Sequence, residues 1–70
     1  MDRTMVRSSD IRSIGYDKLA TVLEVEFVSG GIYQYFNVPE YVHHALMNAP
    51  SHGKFLNNNI KYNYRYQKIR

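Results

Sequence analysis

The sequence predicts an α+β fold: a three-stranded antiparallel β-meander, then two short helices packed on one face, with a C-terminal fourth strand or extended tail. Three observations carry this. Leu23, Val25 and Phe27 alternate with Glu24 and Glu26, the period-2 pattern of a half-buried strand. Ser29-Gly30-Gly31 then supplies a tight reversal before Ile32–Asn37 returns as a second clear strand. At Val38-Pro39-Glu40 the apolar period changes to three and four, and a helix begins.

In chain order, residues 1–10 lack sustained periodicity and are expected to form a loose arm, with a single domain over 11–70. Ile11–Tyr16 reads as the first strand, with Ile14 and Tyr16 on one face, and Asp17-Lys18-Leu19-Ala20 as the turn into Thr21–Val28. After Pro39, Glu40 favours the positive end of the helix dipole. Val38, Tyr41, Val42, Ala45, Leu46 and Ala49 form the apolar face. Pro50 ends that helix, and Ser51 is a suitable N-cap for a second one reaching about Asn58, with Phe55, Leu56 and Ile60 inward. Asn57-Asn58-Asn59 suits its end, because asparagine tolerates the left-handed conformation. From Lys61 to Ile69 the pattern returns to period 2, with Tyr62, Tyr64 and Tyr66 on one side.

Loop length in the glycine hairpin decides where Tyr33 and Tyr35 point, because opposed residues share a face. A two-residue loop places both tyrosines on the open face with Glu24 and Glu26. A three-residue loop, Ser29-Gly30-Gly31, pairs Phe27 with Tyr33 and Val25 with Tyr35, turning the tyrosines toward the helices and Gln34 outward. The second register is favoured, since it avoids burying the Gln34 amide at a cost of about 1–3 kcal/mol.

Composition narrows the function classes. The 70 residues contain no cysteine, which excludes a disulfide framework, a thiolate metal site and a cysteine nucleophile. No apolar run follows the N-terminal basic residues and none reaches membrane-spanning length, so a cytoplasmic protein is expected. The formal charge of +3 is unevenly spread: residues 13–40 carry a net −3 and residues 54–70 a net +5. A basic segment of this kind attracts polyanions.

Several motifs together resemble the KTSC domain family, named for the C-terminal domain of some lysyl-tRNA synthetases. They are Ser13-Ile14-Gly15-Tyr16-Asp17, Leu23-Glu24-Val25-Glu26-Phe27 with its glycine turn, and Tyr33-Gln34-Tyr35-Phe36-Asn37-Val38-Pro39. Leu46-Met47-Asn48-Ala49-Pro50-Ser51, Gly53-Lys54-Phe55-Leu56-Asn57 and Ile60-Lys61 complete them. The resemblance spans about residues 8–69, and it implies a short bacterial or phage-type protein of unassigned role, with RNA binding suggested by the synthetase association. Tyr62 and Arg65 depart from the family pattern, standing where glycine and proline are common.

The residues themselves point to non-catalytic binding. His43 and His44 diverge by about 100° on a helix and cannot form the i, i+4 pair that a metal favours. No serine sits in a nucleophile elbow, no loop cradles phosphate, and no cofactor or metal is expected. Lys61–Arg70 interleaves aromatic and basic residues, which suits RNA or another single-stranded nucleic acid: rings stack on bases and cations meet phosphates. The expected contacts are Lys54, Lys61, Tyr62, Tyr64, Arg65 and Lys68. The alternative is a protein-interaction module, monomeric or weakly dimeric, using Val22, Val28, Ile32 and Phe36 around Glu24, Glu26 and Gln34 on the open sheet face. Exposed Tyr62, Tyr64 and Arg65 favour RNA; exposed Ile32 and Phe36 favour a protein partner.

Overall fold

The computed structural model describes all residues 1–70. The fold is α+β, and the sheet has five strands rather than three or four. They are β1 (Arg3–Met5), β2 (Ile11–Asp17), β3 (Val22–Phe27), β4 (Ile32–Tyr35) and β5 (Tyr66–Lys68), antiparallel and in sequence order across the sheet. Between β4 and β5 come α1 (Glu40–Asn48), α2 (His52–Phe55) and a π-helical turn (Leu56–Ile60).

β1 lies where a loose arm is expected, and the reason is long-range. Arg3 sits opposite Gly15, which in turn sits opposite Glu24. A β-carbon on Gly15 would lie 2.6 Å from the Asp2 carbonyl oxygen and 2.9 Å from Arg3 Cγ. Only glycine there lets Arg3 cross to the buried Glu24. Arg3 pairs with that carboxylate through Nη1, and its Nε donates to Ser13 Oγ (3.0 Å). Ser13 Oγ donates to Glu26 Oε1 (2.8 Å), and Gln34 Nε2 donates to Glu24 Oε1 (2.9 Å). A polar network therefore occupies the middle of the sheet face away from the helices.

A bulge at Arg12 moves β2 by one residue: Ile11 opposes Phe27, but Ser13 opposes Glu26. This lets Ile11 and Ile14, three apart, both enter the core while Ser13 faces the glutamates. The turn after β2 has no glycine. Asp17 Oδ1 accepts from the N–H groups of Leu19 and Ala20 (3.1 Å each), and Thr21 takes the left-handed conformation at φ 54°.

The glycine hairpin loop is three residues long, but it is Val28-Ser29-Gly30, not Ser29-Gly30-Gly31. Phe27 opposes Gly31, with its N–H donating to the Gly31 carbonyl (2.8 Å), and Gly30 holds φ 108°. Each tyrosine is displaced by two positions from the expected pairing: Val25 meets Tyr33 and Leu23 meets Tyr35. A shift of two preserves the face, so both tyrosines do lie on the helix side and Gln34 beside Glu24.

Ile11, Ile14, Leu23, Val25, Tyr35, Val38, Val42, Leu46, Leu56 and Ile60 form the core. The buried stripe of α1 is narrower than its sequence suggests: Val42 and Leu46 are buried, whereas Tyr41 is 74% exposed and Ala45 is exposed. Ser51 caps α2, its Oγ accepting from the Lys54 N–H (3.2 Å). The asparagine run does not end the second helix. The chain continues as the π-turn, closed by the Lys61 N–H donating to the Leu56 carbonyl (2.9 Å), and α2 itself stops at Phe55.

The period-2 reading of Lys61–Ile69 also needs correction. Residues 61–64 form a turn, and only Tyr66–Lys68 pairs with β4. Tyr62, Tyr64 and Tyr66 therefore do not line up as one stripe. No helix is long and apolar enough to cross a membrane.

Candidate nucleic-acid interface

The helices cover β2 and β3 but leave the β4–β5 side of the same face partly open. There the rings of Phe27, Tyr33 and Tyr66 form an aromatic wall, backed by the Tyr35 ring, which is 3% exposed and part of the core. Phe27 meets Tyr33 edge-on, with centroids 5.5 Å apart and planes at 88°. Tyr66 lies 5.8 Å from Tyr33 and 5.9 Å from Tyr35, tilted in both cases. Cross-strand register builds this wall, since Val25, Tyr33 and Lys68 are paired in one row, and Leu23, Tyr35 and Tyr66 in the next.

The π-turn supplies the opposite wall. Together they enclose a groove of about 340 Å³ lined by Tyr33, Tyr35, Tyr66, Asn57, Lys61 and Tyr62, with Phe27, Ser29 and Leu56 also in the lining. No acidic residue lines it. Tyr62 is 83% exposed, and the Lys61 ammonium lies 5.5 Å from its ring centroid. A side chain on Gly31 would meet Tyr33 Cε1 at 3.4 Å and Lys68 Cε at 3.7 Å, so Lys68 reaches along Tyr33 at one end. Burial, and then the neighbouring Tyr33 and Tyr66, push the Tyr35 phenol up to about 12.

Of the residues expected to make contacts, Lys61 and Tyr62 line this groove, while Lys68 lies outside its lining, paired with Tyr33 across β4–β5. Tyr64 is half-buried against the core and lines neither this groove nor the one beside Arg65. Arg65 borders a separate shallow groove with Phe36, Asn37, Tyr66 and Gln67, on the far side of Tyr66. Lys54 is exposed on α2 and lines neither groove. Lys54, Lys61, Arg65, Lys68 and Arg70 form no ion pair; the pairs in the protein use Arg3, Lys18 and His44. Sequence reading did not assign Phe27, Tyr33, Tyr35, Asn57 and Tyr66 to the site. The available signal was the placement of Tyr33 and Tyr35 on the helix side, which needed β5 beside them to become a surface.

The histidines are dispersed. His43 stacks on Tyr16 (4.8 Å, 9°), His52 Nδ1 lies 2.8 Å from the Leu46 carbonyl oxygen, and His44 approaches Glu40. On the other sheet face, Ile32 is 5% exposed and Phe36 is half-buried. Of the apolar patch expected around the glutamates, Ile32 is withdrawn, Val22 and Phe36 are half-buried, and Val28 is 46% exposed.

Residues 7–64 match the KTSC domain family. The chain belongs to that family. An uncharacterised protein of Stutzerimonas stutzeri is 46% identical over 70 residues and matches along 99% of both chains. A crystal structure of a KTSC domain protein from Yersinia pestis superposes with a TM-score of 0.96 at 43% identity, covering 99% of this chain and 97% of that one. The lysine–tRNA ligase of Nostoc punctiforme is 38% identical over 61 residues, which is 87% of this chain but 11% of the ligase. The KTSC unit therefore occurs both as a protein of this size and as a small part of a much larger enzyme.

Proposed function

We propose that this KTSC domain binds single-stranded RNA in the groove between β4–β5 and the π-turn, without catalysing a reaction. The observation that carries the reading is an aromatic wall facing an exposed tyrosine, with the unpaired Lys61 and no acid in the lining, and Lys68 paired beside Tyr33. Flat rings accept bases of any sequence, and cations along the same path neutralise the phosphates. The domain's recurrence within lysine–tRNA ligases, enzymes that handle an RNA, supports the same choice. Lys61 and Lys68 would meet the nearest phosphates, and Arg65 would extend the track past Tyr66. The outer sheet face gives a protein partner less to hold, because Ile32 is buried and Glu24 is already paired with Arg3.

Fluorescence anisotropy with a labelled single-stranded RNA over a salt series tests this. Three phosphate contacts on a single strand give a log–log salt slope of about −2, and Lys61→Ala lowers its magnitude by about 0.7. Absence of binding at low salt would sink the proposal.

A further inference from the structure

The π-turn brings an unoccupied amide into the groove. Three other asparagines spend their side chains on the backbone: the Nδ2 groups of Asn48, Asn59 and Asn63 donate to carbonyls four residues earlier, at 2.8, 3.3 and 2.8 Å. Asn57 makes no such bond. It stands instead where two grooves meet, the aromatic one and a neighbouring groove of about 480 Å³ beneath Phe27 and Gly53. Asn58 is equally exposed but lines neither. Because the Lys61 N–H reaches back five residues to Leu56, the turn is wider than an α-helical one. Asn57, Lys61 and Tyr62 consequently share the groove side.

We infer that the groove takes one unstacked adenine, with Asn57 reading the base while Tyr62 and the Tyr33–Tyr66 wall hold its faces. The inference rests on the RNA reading above and specifies its ligand. A side-chain amide offers one donor and one acceptor side by side, which matches N6–H and N7 of adenine in a bidentate pair. The same edge of guanine offers two acceptors, and its Watson–Crick edge adds an N2 amine that one amide leaves unpaired. Pyrimidines can match the amide but give the tyrosines one ring instead of two. The lining has no acid, so Lys61 can meet a phosphate beside the base, with Lys68 further along β5 beside Tyr33.

The test uses the full chain and four RNA hexamers of uridine in which one central position is A, C, G or U. Adenine should bind about tenfold tighter than the other three, within the range expected for one bidentate pair. Asn57→Ala should erase the preference for adenine over guanine, keep the weaker purine-over-pyrimidine preference that stacking gives, and leave the salt slope intact. Its fold is expected to survive, since the side chain is exposed and makes no internal hydrogen bond, and circular dichroism checks this. Asn57→Gln, which keeps the amide, should retain part of the preference. Equal affinities, a preference for guanine, or an adenine-over-guanine preference that survives Asn57→Ala overturns the inference and leaves RNA binding standing. Binding to none of the four removes both.

Discussion

Replacing Arg3 with methionine should destabilise the whole domain, although Arg3 lies in a three-residue edge strand whose residues are all exposed. The substitution keeps an apolar stem and removes the charge facing Glu24, a carboxylate buried to 5% exposure and paired with Arg3 across Gly15. Breaking a fully buried ion pair costs about 3–5 kcal/mol. The Arg3 side chain keeps 28% of its exposure, and Gln34 would still donate to Glu24, so the cost falls nearer that of one unsatisfied group. About 2 kcal/mol is expected, which in a chain of this size lowers the melting temperature by roughly 8–16 °C. The effect must also depend on pH. Burial alone would raise the Glu24 carboxyl, but hydrogen bonds from Gln34 and Arg3, with the Arg3 charge, hold it below the usual range. A lowered folded value contributes stability that is present above the unfolded carboxyl value, about 4.3, and is lost as pH falls through the folded one. The gap between wild type and Arg3→Met should therefore be full at pH 7 and close in acid. Urea unfolding followed by circular dichroism at pH 7 and pH 3 measures it. A difference below about 0.3 kcal/mol at pH 7, or one unchanged at pH 3, would refute the claim that Glu24 holds β1 in place.

Three further outcomes follow from the same geometry. Gly15→Ala should lift β1, because its new β-carbon would sit 2.6 Å from backbone, and Arg3→Met added to it should cost little more; amide hydrogen exchange along β1 and β2 reads the loss. Tyr35 should remain un-ionised at pH 11 in a spectrophotometric titration, its value being pushed up to about 12. Since that raised value favours the neutral phenol, its contribution to stability is complete below about pH 10 and disappears as pH climbs through 12. Tyr62→Ala should weaken single-stranded RNA binding by about 1–3 kcal/mol, roughly five- to 150-fold, and leave the thermal melt unchanged, because that ring is almost wholly exposed.

Local pattern made much of this fold legible. The alternation through Leu23–Phe27 and the switch at Val38-Pro39-Glu40 identified β3 and the start of α1, since period and proline position act over a few residues. The faces of Tyr33 and Tyr35 followed from an odd loop length, and they survived a loop shifted by one residue and pairs displaced by two. β1 was not legible, because it depends on an absent side chain at Gly15 and a carboxylate on β3. The same limit applied to the site. Its lysines and Tyr62 stand out as a basic, aromatic segment, but its wall combines Phe27 and Tyr33 with Tyr66, more than thirty residues later in sequence. A turn at 61–64 also breaks the tyrosine periodicity that simple alternation suggests. Asn57 was invisible as a contact for another reason: three similar asparagines are structural, and only the hydrogen-bond pattern separates it from them.

The central claim is that the aromatic groove, and not the outer sheet face, is where this KTSC domain meets single-stranded RNA. An NMR titration of the labelled protein with a short unstructured RNA at two salt concentrations tests it most directly. Shifts concentrated at Tyr33, Asn57, Lys61, Tyr62 and Tyr66 that shrink at the higher salt are expected. No shifts at low salt, or shifts confined to Val22, Ile32 and Phe36, would contradict it.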